Sequence, residues 1–232
     1  LASVRIANPH TPAQWRAVLR ELRERAGTHD QSVYVQVTRG VAPRDHGFPD
    51  SPPTVFAFSR PLAGPEPAAL ARGLRAVLRE DFRWQRCDIK STALQGAVLL
   101  RQAALDSGAH EALLVRDGHV TEGAATNVFA VLDGTVVTPP VGPWLLAGVT
   151  RALMLELARD VGLPVAERAL TAAEVRSAPE LWLTSSSKGV LAVTTLDGQP
   201  VGDGLPGPVW RRVHDRYRQY LTELRAGRVA DT

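Results

Sequence analysis

Two hydrophobic periods alternate along this chain, and they divide it into helices and strands. Thr11-Pro12 reads as a helix start, a hydroxyl cap followed by proline at the first helical position. Trp15, Val18, Leu19 and Leu22 then share one face at helical spacing, and Gly27 ends the run. Residues 32–38 change to a period of two. Val33, Val35 and Val37 point one way and Tyr34, Gln36 and Thr38 the other, which predicts a half-buried strand. Residues 39–46 read as a loop and 54–59 as a second short strand. Residues 61–67, with three prolines and a glycine, form the best linker in the chain and set the expected domain boundary.

Beyond the linker the pattern predicts a strand at 74–80, a helix at 94–104 and strands at 111–115 and 119–121 about a turn at Asp117-Gly118. Strands at 127–132 and 135–138 flank Asp133-Gly134 as a hairpin. Residues 139–143 are a stiff loop, and 149–161 an amphipathic helix with Leu153, Leu157 and Val161 on one side. Thr171 and Glu174 spell a capping box for a short helix. Strands at 181–184 and 190–195 flank Ser185-Ser186-Ser187, and Asp197-Gly198 turns the chain again. A closing helix over 206–225 packs through Val209, Val213, Tyr220 and Leu224. Many short strands with few helices, lacking regular βαβ alternation, predict an α+β (mixed α/β) class.

Composition narrows the functional classes. The 232 residues are 44% hydrophobic, enough for one large domain or two modest ones. A net charge of +3, with Arg interspersed among Asp and Glu, gives no clustered basic face and argues against nucleic acid as a partner. The single Cys87 excludes an internal disulfide and suits a reducing cytoplasm; it reads as a small buried hydrophobe. No apolar run reaches membrane-spanning length and no signal pattern opens the chain, so no membrane partner is expected; no metal site is expected either. The chain starts at Leu1 and runs straight into Ala2-Ser3-Val4-Arg5-Ile6, as a piece of something longer would.

The charged residues carry one anomaly. Of 27 basic residues only Lys90 and Lys188 are lysine; the other 25 are arginine. Codon bias explains such leftovers as readily as function does. Yet a primary amine can lose its proton and attack a carbonyl, and a guanidinium cannot. Lys90 sits in Arg86-Cys87-Asp88-Ile89-Lys90-Ser91, with Trp84 upstream and Leu94, Gly96, Ala97 and Val98 downstream. This run resembles the Schiff-base lysine segment of class IV (fold type IV) pyridoxal-phosphate aminotransferases, closest to the D-amino-acid transaminases. The resemblance runs from near residue 1 to near residue 224.

Several further stretches match the same family. Glu122-Gly123-Ala124-Ala125-Thr126-Asn127 is similar to its Glu-Gly-x-x-x-Asn motif, although alanines stand where the family usually has serines. By itself, a Glu before a Gly at the end of a strand is usually a solvated turn residue; the resemblance implies that Glu122 binds the pyridine nitrogen. Gly148-Val149-Thr150-Arg151 opens a helix, whose free N–H groups and dipole suit an anion. Ser185-Ser186 follows a strand. In the family these positions hold the cofactor phosphate, so Val149, Thr150, Ser185 and Ser186 are implied ligands. Lys188 reads as a surface lysine. Arg44-Asp45-His46 reads generically as a solvated loop, but with Gln36 to Gly40 and Phe48-Pro49 it looks like the D-amino-acid transaminase loop. There Arg and His, supplied across a homodimer, hold the substrate carboxylate, and Tyr34 matches a site-lining tyrosine.

The resemblance implies a two-domain class IV aminotransferase-like fold. Residues 1–62 would be the remainder of a small, incomplete N-terminal α/β domain, 63–67 a linker, and 68–232 a larger pseudo-barrel domain that binds pyridoxal 5′-phosphate. The implied activity is transamination between D-amino acids and 2-oxo acids through Lys90, in a cytoplasmic homodimer. Two activities within the fold remain as alternatives, 4-amino-4-deoxychorismate lyase and branched-chain L-amino-acid transaminase; Arg44 and His46 argue against both. A third alternative is a truncated, inactive structural relic. In the resembled family several dozen residues precede the position of Leu1, among them an arginine for the phosphate and a tyrosine near the substrate carboxylate.

Overall fold

The computed structural model describes residues 1–27 and 30–229. The chain divides into two compact units, Leu1–Gly64 and Pro65–Thr232.

In the first unit, helix α1 (Pro12–Ala26) starts at Thr11. The Thr11 hydroxyl accepts from the Gln14 backbone N–H while the Gln14 side chain accepts from the Thr11 N–H, a full capping box ahead of Pro12. Strands β1 (Gln31–Thr38) and β2 (Thr54–Pro61) pair antiparallel in unbroken register. The predicted burial alternation along β1 is absent. Val33 and Val35 are as open as Tyr34, and no described residue of this unit is fully buried. The physical reason is thinness: two strands with one helix against them make no closed core.

The second unit begins with helix α2 (Pro67–Arg72), so Pro67, expected to end a linker, instead opens a helix. Then come β3 (Leu74–Glu80), α3 (Gln95–Asp106), β4 (Glu111–Arg116), β5 (His119–Gly123), β6 (Asn127–Leu132), β7 (Thr135–Thr138) and α4 (Val149–Asp160). The chain continues through β8 (Val165–Glu167), β9 (Leu170–Thr171), α5 (Ala172–Ser177), β10 (Glu180–Ser185), β11 (Gly189–Leu196), β12 (Gln199–Pro200) and α6 (Pro208–Arg225).

The described strands of this unit form one ten-stranded sheet, in the order β8-β7-β6-β10-β11-β3-β4-β5-β9 with β12 beside β11. The pairs β11–β3, β3–β4 and β7–β8 are parallel and the others antiparallel. β5 and β6 have four strands between them in this order, yet only residues 124–126 join them in sequence. So short a link forces the sheet to curl round on itself, which gives the half-barrel form.

One layer of core lies on one sheet face, around Leu113, Val128, Leu181 and Leu183. Another lies under α4 and α6, around Phe129, Met154, Trp182, Trp210 and Val213. The alternation of Leu181 and Leu183 with Trp182 puts successive residues of β10 into opposite layers, as a strand covered on both faces requires. Cys87 is buried and free.

Candidate active site

Strand β5 runs two residues further than its alternation suggested and carries Glu122 into the interior, 5% exposed. The solvated-turn reading of this residue is therefore wrong. The register of β5 on β4 shifts between Leu113 and Val115, and that irregularity hides the extra length from a period-two reading.

Glu122 accepts three hydrogen bonds. Arg83 Nη1 donates to Oε1 at 2.6 Å; Asn127 Nδ2 and the Leu146 N–H donate to Oε2 at 3.2 and 3.0 Å. Burial pushes its carboxyl above the ordinary range, against the opposing pull of Arg83. A carboxylate offers about four lone-pair positions, so one acceptor position remains for a further donor.

Asn127 joins the pieces. Its Nδ2 also donates to the Leu146 carbonyl at 2.9 Å. Its Oδ1 lies where a Cβ on Gly148 would come within 2.2 Å, so residue 148 has no room for a side chain. Across the sheet Asn127 pairs in register with Thr184, the residue before Ser185. Glu122, the start of α4 and the end of β10 are thereby brought to one place.

The start of α4 has the form of an anion site. Gly148 is the N-cap and supplies no capping side chain; the first intrahelical bond is from Ala152 N–H to the Gly148 carbonyl. The N–H groups of Val149, Thr150 and Arg151 precede that bond. Val149 is exposed, Thr150 is at the margin of burial, and Arg151 is buried. Arg151 turns away, donating to the Pro139 carbonyl and the Glu167 carboxylate, both at 2.7 Å. Ser185 ends β10 half-buried, and Ser186 lies exposed in the turn that follows. Lys188 is exposed.

Lys90 is exposed, in the segment between β3 and α3. The segment is strapped down on either side of Trp84. The Cys87 and Asp88 N–H groups donate to the Pro143 carbonyl at 2.8 and 3.4 Å, and Arg83 Nη2 to the Trp144 carbonyl at 3.2 Å. The loop that carries Lys90 is thus tied to the loop that leads into α4.

Arg83, Asp81 and Arg116 were not found from the sequence. Asp81 grips Arg83 with both oxygens at 3.0 Å, and Arg116 lies 3.4 Å from Asp81 with its guanidinium 4.1 Å from the Trp144 ring centre. The only sequence signal was a pair of opposite charges two apart just after a strand, which on a surface would mean nothing.

Tyr34, Arg44 and His46 belong to the first unit. Tyr34 donates its hydroxyl to Gln36 at 2.7 Å and stacks on Phe58, with ring centres 5.2 Å apart. The loop between β1 and β2 is closed at its base. Gly40, at φ 104°, has the Pro52 carbonyl 2.2 Å from where a Cβ would stand, and Ser51 Oγ donates to the Val41 carbonyl. Phe48 packs under the Arg39 guanidinium, 3.7 Å from the ring centre. Arg44 and His46 stand exposed between these anchors.

A curled mixed sheet, with a buried carboxylate beside an open helix start, gives an α+β domain able to hold an anionic group that also carries a hydrogen-bond donor. The model of the amino-transferase class IV family matches residues 1–196. The D-alanine aminotransferase of Bacillus licheniformis is 38% identical over 213 residues, covering 91% of this chain and 75% of that protein. That of Staphylococcus haemolyticus is 39% identical over 206 residues, 88% of this chain and 73% of that one. Among solved structures, the branched-chain amino acid aminotransferase of Thermobaculum terrenum in its PLP-bound holo-form superposes with a TM-score of 0.87 at 25% identity. That match covers 98% of this chain and 75% of the other.

The chain belongs to the class IV aminotransferase family. It is an aminotransferase, and the family's cofactor is pyridoxal 5′-phosphate. The donor set fits that group: a buried carboxylate with an acceptor position free, uncapped helix N–H groups, two serine hydroxyls and an exposed amine. Among the described residues no helix is long and apolar enough to cross a membrane.

Proposed function

We propose that this aminotransferase moves amino groups between D-amino acids and 2-oxo acids, as a cytoplasmic homodimer. The observation that carries the site is Glu122, buried, triply hydrogen-bonded and beside an open helix start. The D-alanine aminotransferase relatives support the choice of substrate.

Bound pyridoxal phosphate supplies an aldehyde and a ring that accepts the electrons of a broken Cα–H bond. Lys90 would present its amine to that aldehyde and, once released, take and return the substrate Cα proton as general base. Glu122 would hold the proton on the ring nitrogen. The Val149 and Thr150 N–H groups, with the hydroxyls of Ser185 and Ser186, would bind the phosphate. Arg44 and His46, contributed by a partner subunit, would orient the substrate carboxylate beside Tyr34.

Handedness follows from this arrangement. The lysine serves one face of the ring, so the anchor of the carboxylate decides which enantiomer turns its Cα–H to that face. Arg44→Ala should weaken substrate binding about ten- to hundredfold, the loss of a charge-assisted contact of roughly 1.5–3 kcal/mol.

A second reading, transamination of branched-chain L-amino acids, is favoured by the likeness to the Thermobaculum terrenum enzyme. The test offers D-alanine with 2-oxoglutarate beside L-isoleucine with 2-oxoglutarate. Faster turnover of D-alanine supports the proposal; faster turnover of L-isoleucine replaces it with the second reading.

A further inference from the structure

Arg83 is positioned more tightly than any other charged side chain near Glu122. Its Nε and Nη2 donate to the two oxygens of Asp81, Nη1 to Glu122 and Nη2 also to the Trp144 carbonyl. Its own backbone N–H caps Asp81 Oδ1 at 3.0 Å. Gly96, at the start of α3, leaves space for its stem: a Cβ there would lie 3.2 Å from Arg83 Cγ. The Asp81 side chain is wholly buried, and those of Arg83 and Glu122 are at most a tenth exposed. Thr121 Oγ1 and Arg116 lie 3.4 Å from the second Asp81 oxygen.

This arrangement poses an electrostatic problem for the reading of Glu122. A lone guanidinium at 2.6 Å would compete with a ring nitrogen for the carboxylate's charge. Asp81 removes that competition. It neutralises Arg83 from the far side, while Arg116 spreads its own charge over Trp144 and the Arg83 carbonyl. Two buried carboxylates and two arginines then sum to zero, so no surplus cation outweighs Glu122, and its fourth acceptor position stays open to an external donor.

We propose that Asp81 is a positioning residue of the reaction: by gripping Arg83 with both oxygens it takes up the charge of the guanidinium that bears on Glu122, so that Glu122 holds the cofactor's ring nitrogen protonated. The proposal rests on Glu122 facing that nitrogen. It makes no contact between Asp81 and the cofactor necessary. Burial alone would raise the Asp81 carboxyl, but the hydrogen bonds and charge of Arg83, with Arg116, hold it below its ordinary value, consistent with an anion throughout the working pH range.

The test loads pyridoxal phosphate labelled with nitrogen-15 in the ring into wild type, Asp81→Asn, Glu122→Gln and the double variant Asp81→Asn/Arg83→Gln. It reads the ring-nitrogen resonance at neutral pH, with cofactor affinity measured by absorbance titration. Wild type should show a protonated ring. Asp81→Asn should raise the neutral fraction about tenfold, because the uncompensated Arg83 now faces Glu122. Its affinity should stay within about threefold, the phosphate contacts being untouched. The double variant, with the Arg83 charge also gone, should return the resonance to the protonated position, a rescue that a merely structural role of Asp81 would not give.

The outcomes separate the two claims. If Glu122→Gln shifts the resonance and Asp81→Asn does not, Asp81 has no such role while Glu122 keeps its own. If Glu122→Gln leaves the ring protonated, the reading of Glu122 fails and this one with it. Asp81→Asn strands a buried guanidinium and is the variant most exposed to misfolding. If it does not fold, Asp81→Ser, which removes the same charge and leaves room for water beside the guanidinium, takes its place: a neutral fraction raised above wild type supports the proposal, and a ring as protonated as in wild type overturns it.

Discussion

Gly148 shows how much one residue decides here. Its φ of −68° would suit any amino acid, so backbone freedom is not the reason for glycine. The reason is Asn127 Oδ1, 2.2 Å from where a Cβ would stand. Gly148→Ala must push Asn127 away from Glu122 and Leu146. We expect a stability loss of about 1–3 kcal/mol by urea unfolding, together with weaker cofactor binding in an absorbance titration. Asp81 gives a second prediction. Its carboxyl is held below the unfolded value of 3.8, so it stabilises the fold above that pH, and the stabilisation is lost as pH falls through the lower folded value. Acid unfolding of Asp81→Asn should lack this contribution; equal acid sensitivity in both proteins would contradict it. Lys90 and Glu122 could be singled out as candidates because a scarce residue type and a short motif marked them. Asp81, Arg83 and Arg116 were not, because Arg83 and Glu122 are 39 positions apart and arginine is too common in this chain to carry a signal.

Among the elements, the tight turns were the most legible. Asp117-Gly118, Asp133-Gly134 and Asp197-Gly198 all place both residues at positive φ, 48–50° for the aspartates and 75–79° for the glycines. That is the backbone of a two-residue hairpin turn whose twist matches its strands, and the Asp-Gly pair announces it. Gly134→Ala meets open space, so only the backbone is strained, at φ 75°; the expected cost is about 1 kcal/mol, read by thermal unfolding. The capping box at Thr171 and Glu174 formed as the spacing required. Strand length was less legible. β5 reaches Gly123 because its register slips against β4, and no alternation survives a slip. β1 had the alternation but not the burial, since burial depends on what covers a strand and not on its own pattern.

At the scale of the molecule, the sequence indicated the α+β class but not the sheet order. Parallel neighbours such as β3 and β4 are joined through α3, and β11 reaches β3 from over a hundred residues away; such pairings leave no local mark. What the fold achieves is convergence. The curled sheet brings the end of β5, the start of β6, the start of α4 and the end of β10 to one place, and ties the Lys90 loop to the loop before α4. The chemistry proposed for this place depends on Lys90 being the amine it serves. That dependence is checked by incubating the protein with pyridoxal phosphate, reducing with borohydride and mapping the modified peptide, with Lys90→Arg as control. We expect a label on Lys90, none in the variant, and no turnover in the variant although its charge is retained. A label on Lys188, or no labelled lysine at all, would contradict the assignment.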